Sequence, residues 1–161
     1  MGGIASSSVT PQLDRDRYSL FLKSVTLKRI VLSHAQVLLA TLGQPPDRLQ
    51  LTLSVIVQPL PLAIAGPWTV EVKAEVTGRP ESSAANDTVF RVESGFAAQY
   101  DVAPDPAGLT WDTTLYTAYA NSSTMLHVWP YIREFCSSCT SRMGLSPVFL
   151  DTWLVPRPAG A

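Results

Sequence analysis

Three stretches of this chain alternate apolar and polar residues strictly, and that pattern limits what the chain can fold into. Leu49, Leu51, Leu53, Val55 and Val57 share one face, with Gln50, Thr52 and Ser54 opposite. Trp68, Val70, Val72, Ala74 and Val76 alternate with Thr69, Glu71, Lys73, Glu75 and Thr77, and Phe90, Val92, Ser94, Phe96, Ala98 and Tyr100 make a third row. A period of two indicates β-strands with one apolar face, and a sheet of such strands needs a cover on one side. Pro59 and Pro61 end the first of these strands. Gly78, Pro80 and the small polar run to Asp87 turn the second into the third.

The C-terminal third supplies the cover. Leu115, Tyr119, Ser122, Leu126, Trp129, Ile132, Cys136, Cys139 and Met143 keep helical spacing straight across Pro130. An interior proline costs about 3 kcal/mol, so Pro130 is expected as a kink or as the first residue of a second helix. Asp112 or Thr113 would cap the helical region, after a crossing at residues 102–108 that contains Pro104 and Pro106. Upstream, residues 20–32 read as a first strand with a bend or bulge. Residues 33–48 read as a long connection carrying an apolar cluster at Val37, Leu38, Leu39 and Leu42. The fold class expected is α+β, a four-stranded antiparallel sheet with one long kinked helix on one face. Residues 1–17 are expected as a flexible tail, 18–156 as the domain, and 157–161 as a C-terminal tail.

Composition narrows the function. A length of 161 residues suits one domain, and a net charge of −1 provides no basic footprint for nucleic acid. The most apolar stretch, residues 49–66, is broken by Gln50, Thr52, Ser54, Gln58 and two prolines, so no membrane span is expected. No basic segment followed by an apolar core opens the chain, so no secretory signal is expected. Cys136 and Cys139 form a Cys-x-x-Cys, but mid-helix on the apolar face rather than at a helix start, and the histidines are His34 and His127 alone. Packing is therefore expected of the cysteines, with no metal and no cofactor. No Gly-x-Ser-x-Gly, His-Glu-x-x-His or phosphate loop occurs. Arg133 and Glu134 are adjacent on a helix and do not face each other. No catalytic residues, and no enzyme activity, are expected.

Residues 129–134, Trp-Pro-Tyr-Ile-Arg-Glu, followed by Arg142, Gly144, Leu145, Pro147 and Val148, resemble the SecB family of export chaperones. That family carries an aromatic-Pro-Tyr-x-Arg-Glu run on a long helix. The order of parts is also similar from about Leu20 to Val155: a first strand, a long crossover, the alternating Leu-Gln-Leu-Thr-Leu strand at 49–53, and Thr88, Phe90 and Glu93 in the last strand. The resemblance implies a cytoplasmic, SecB-like holding chaperone that binds unfolded polypeptides. Its clients would be export precursors or one dedicated partner such as the antitoxin of a toxin–antitoxin system. It implies a client groove bordered by the crossover, hence Val37, Leu38, Leu39 and Leu42, with Trp153 as a further aromatic wall. It implies a homotetramer built as a dimer of dimers. Family members that serve export dock on the SecA motor through carboxylates of the outer sheet face. Glu93 is retained here, but Arg29, Ser33 and Arg91 replace the acidic or apolar positions, and Pro156 and Pro158 exclude a second long helix. Motor docking is thereby put in doubt. The rival reading is an oligomeric adaptor or structural subunit that uses its apolar surfaces for assembly only.

Overall fold

The computed structural model describes residues 13–40, 48–60, 66–81 and 87–153. A helix α1 (Arg15–Ser24) leads into strand β1 (Val25–Leu39); β2 (Leu49–Pro59), β3 (Gly66–Pro80) and β4 (Phe90–Val102) come next. The chain ends in a helical rod made of α2 (Thr113–Tyr119), a π-helical turn (Ala120–Thr124) and α3 (Met125–Arg142). The sheet is antiparallel in the order β1-β4-β3-β2, so β2–β3 and β3–β4 are neighbours while β1 and β2 lie at opposite edges. The long helical rod of 30 residues makes the fold α+β. Among the described residues no helix is long and apolar enough to cross a membrane.

The N-terminal third differs from the sequence expectation. Residues 20–24 are helical, and Asp14 to Arg17, expected in a tail, cap and open α1: the Asp14 carboxylate accepts from the N–H groups of Asp16 (3.0 Å) and Arg17 (3.3 Å). Residues 33–39 are strand, not connection. Pairing with the full length of β4 decides this, since a strand's preference depends on its cross-strand neighbours more than on its own residues. The expected irregularity is present as two register shifts, at Leu27/Arg29 and Leu32/His34. Leu42 and the domain end at residue 156 lie outside the described residues.

The core is built on the two central strands. Trp68, Val70, Val72, Ala74 and Val76 of β3 and Phe90, Val92, Phe96, Ala98 and Tyr100 of β4 are all buried on one face, which the helical rod covers. Asp112 is the helix cap, its carboxylate accepting from Thr114 N–H at 2.9 Å. Helix α3 runs unbroken through Pro130, and the irregularity falls upstream in the π-helical turn. A π turn inserts an extra residue and so rotates the helix downstream of it. This moves burial from Leu126, which is exposed, to Met125 and Val128, which are fully buried. Gly144, at φ 77°, ends α3, with Leu145 N–H reaching back to Thr140 O at 3.1 Å and its side chain buried.

Candidate functional site

Strand order decides which apolar side chains are covered. On the helix side of the sheet the cross-strand rows are Leu32–Phe96–Val72–Val57, Val37–Val92–Val76–Leu53 and Leu39–Phe90–Gly78–Leu51. The middle members are buried; the outer ones are not. On β1, Leu27, Leu32 and Val37 are 37%, 49% and 44% exposed, and on β2 Leu51 and Leu53 are 42% and 39% exposed. One helical rod is too narrow to cover four strands, so an apolar strip is left bare along each edge. Aromatic rings tie the β1 strip to α3: Phe96 lies 6.1 Å from Tyr131 and 6.3 Å from Phe135, and Tyr131 is half exposed.

Of the sequence-expected residues, Val37 and Leu39 fall on this face, opposite Val92 and Phe90. Leu38 turns to the other face, opposite Arg91, because successive strand residues point to opposite sides. Trp153 packs at a tilt against Trp129 of α3 (5.2 Å between ring centres), whose Nε1–H donates to Asp151 O at 2.8 Å. Leu27, Leu32, Leu51, Leu53 and Tyr131 are not singled out by the sequence. Their alternation is visible there, but not that their strands are edges.

The outer face of the sheet carries charged side chains that pair with one another, beside the exposed apolar Val31, Leu38 and Ile56. Glu93 lies 3.9 Å from His34 and 3.8 Å from Arg91, and Arg91 is also 4.0 Å from Glu75. Arg29 Nε donates to Gln99 Oε1 at 2.6 Å. A shallow dish of about 490 Å³ is lined by His34, Ser54, Ile56, Glu71, Lys73, Glu75 and Glu93. Beside it, a Cβ at Gly95 would stand 3.0 Å from Ser33 Oγ, which donates to Glu71. Arg91 thus meets carboxylates and Arg29 an amide oxygen on their own sheet, and the face presents mixed charge instead of an acidic field.

On the helical rod, burial favours the neutral forms of Tyr116, Tyr119, His127, Cys136 and Cys139. Burial, and then the neighbouring Cys139, pushes the Cys136 thiol up to about 11, and burial also raises Cys139. Burial pushes Tyr119 up to about 12 and lowers His127, whose Nδ1 lies 3.1 Å from Tyr100 Oη. Tyr100 donates to Thr124 Oγ1 at 3.0 Å. Among the described residues no group of three His, Cys, Asp or Glu side chains could hold a metal ion.

No protein-family model and no curated protein matches the sequence. Among solved structures the chain is similar to Mycobacterium tuberculosis Rv1957, a SecB-like chaperone in complex with a ChAD peptide from the Rv1956 HigA1 antitoxin. The two are 19% identical with a TM-score of 0.71, over 89% of this chain and 100% of that one. A protein of unknown function from Streptococcus agalactiae is more distant, 10% identical with a TM-score of 0.42 over 80% and 97% of the two chains. The fold of this chain is SecB-like.

Proposed function

We propose that this chain is a SecB-like molecular chaperone that holds unfolded polypeptides along the two uncovered apolar strips of its sheet. The observation that carries the reading is the bare helix-side edge, Leu27, Leu32 and Val37 on β1 and Leu51 and Leu53 on β2. Side chains of this kind recognise apolar residues on an extended chain without reading a sequence, and capture of unfolded chains lowers their free concentration by mass action. Such an activity needs no catalytic group, and the protein is read as a non-enzyme acting in the cytoplasm. The similar fold of a chaperone that binds an antitoxin peptide supports polypeptides as the ligand class and favours a dedicated client of that kind. Mixed charge on the outer face, with Arg29 and Arg91 where an acidic surface would be needed, argues against tight docking on SecA; like-charge contacts cost several kcal/mol at an interface. The decisive experiment dilutes a chemically denatured, unrelated protein into buffer with and without this chain and monitors light scattering. Suppression at near-stoichiometric ratios is expected; unchanged aggregation refutes the reading.

A second reading has its own observation. β1 is a 15-residue edge strand with exposed apolar residues on both faces, including Val31 and Leu38, and an edge of this kind invites pairing with another copy. If the strips serve only assembly, the chain is an oligomeric adaptor, and the scattering experiment shows no suppression while the oligomer persists.

A further inference from the structure

Helix α1 is fastened to the domain by a few side chains, and they converge on one ring. Phe21 is fully buried, its edge against Trp111 (5.3 Å), Tyr116 (4.7 Å) and Tyr119 (6.0 Å), while its neighbours Leu20 and Leu22 are exposed. Trp68 closes this aromatic box, 4.9 Å from Tyr116. Polar tethers flank the plug. Arg17 Nη2 lies 3.0 Å from Asp105 Oδ2, donates to Thr110 O at 3.0 Å, and its guanidinium lies 5.5 Å from the Trp111 ring centre. Tyr18 Oη and Ser122 Oγ, the latter in the π-helical turn, are 3.0 Å apart. At its other end α1 passes straight into β1, with Val25 already extended and Ala103 N–H donating to Ser24 O at 2.9 Å. The joint is pinned by backbone; the body of the helix is held by side chains.

Two walls of the box carry buried polar atoms without a hydrogen-bond partner, Trp68 Nε1 and Tyr116 Oη. A phenylalanine ring satisfies neither, and unpaired buried polar groups are destabilising. A phenol, or the backbone of an entering chain, could pair with them. The box also adjoins the β1 strip: Leu27, its exposed first member, is paired with Tyr100, and Tyr100 with Trp68.

We propose that α1 is an autoinhibitory lid, in which Phe21 occupies a box that a tyrosine side chain of a bound client segment takes when the helix swings out about Ser24. The proposal rests on the chaperone reading of the β1 strip. Closed, the lid reduces apparent client affinity by the fraction of chains that are open, and weakening the tethers restores it.

The test uses two fluorescent synthetic peptides of leucine and serine, one with a single tyrosine and the other with alanine in its place. Full-length protein, R17Q and Y18F are compared by anisotropy, with circular dichroism verifying the fold; Y18F removes one oxygen and keeps the ring. Both variants are expected to bind the tyrosine peptide roughly three- to tenfold more tightly than the parent and the alanine peptide unchanged. In the unaltered protein the tyrosine peptide should speed amide exchange in residues 15–24. If the folded variants bind no more tightly and exchange in α1 is unaffected, the lid is refuted while the chaperone reading stands. If neither peptide binds to any of the three proteins, both fail.

Discussion

Leu53 lies directly opposite Val76 on the helix side of the sheet, yet Leu53 is 39% exposed and Val76 2%. The two residues share a row and a face, but Leu53 is on an edge strand and Val76 on a central one. Leu53 and Leu51 on one edge, and Leu32 and Val37 on the other, are therefore the side chains from which client affinity should be lost. Fully burying such a side chain is worth about 1.5–3 kcal/mol, and these have roughly half of that still to gain. Replacing either pair by serine should weaken holding of an unfolded chain about tenfold. Leu38→Ser, on the opposite face, should leave it unchanged. Titration of labelled, denatured client against the three variants gives the answer, and equal loss from Leu38→Ser would contradict the assignment.

Gly78 faces Phe90 across the β3–β4 pair, and a Cβ at Gly78 would overlap the Phe90 ring, which is fully buried. Gly78→Ala should thus destabilise the fold by about 1–3 kcal/mol, the usual effect of overpacking. Urea titration measures it. An unchanged midpoint would mean that Phe90 has room to move.

Cys136 is expected to make stability fall at alkaline pH. Its thiol is raised from 9.0 to about 11 by burial and then by Cys139, so the folded chain keeps a proton that the unfolded chain releases. The contribution is fully present below the unfolded value and is lost as pH rises through the folded one. Denaturant midpoints should decline between pH 9 and 11, and less so in Cys136→Ala. Alkylation of Cys136 at neutral pH should be slow, because the thiolate is the reactive form. Rapid labelling there would show that the thiol is more open than its position implies.

The central strands are legible in the sequence because both of their neighbours enforce the alternation: every residue read as inward on β3 and β4 is buried. The helix is legible too, except that the π-helical turn at Ala120–Thr124 shifts the phase and leaves Leu126 in solvent; one added residue is invisible to a 3.6-residue pattern. The candidate site is legible in part. Val37 stands out as an exposed apolar residue, but grouping it with Leu38 ignores the pleat that separates them. Leu32, Leu51 and Leu53 read as ordinary inward residues, since exposure depends on strand order and on the width of the cover. Neither is written in local pattern. Helix α1 is hidden because Leu20, Phe21 and Leu22 in succession carry no clear period, and only Phe21 is buried.

The apolar edges also bear on assembly. A chain that leaves Leu27, Val31, Leu32 and Leu38 exposed on one edge strand is expected to bury part of that surface against further copies, in interfaces of roughly 2,000 Å² or more. Sedimentation at micromolar concentration should show a tetramer. A monomer would require the whole strip to be free for clients.

The location of client binding is tested most directly by methyl NMR of leucine- and valine-labelled protein titrated with an unfolded polypeptide. Binding along the uncovered edges predicts that Leu27, Leu32, Val37, Leu51 and Leu53 shift together and saturably, while Leu38 on the outer face stays still. Shifts confined to Leu38 and its outer-face neighbours, or no shifts at all at saturating client, would contradict it.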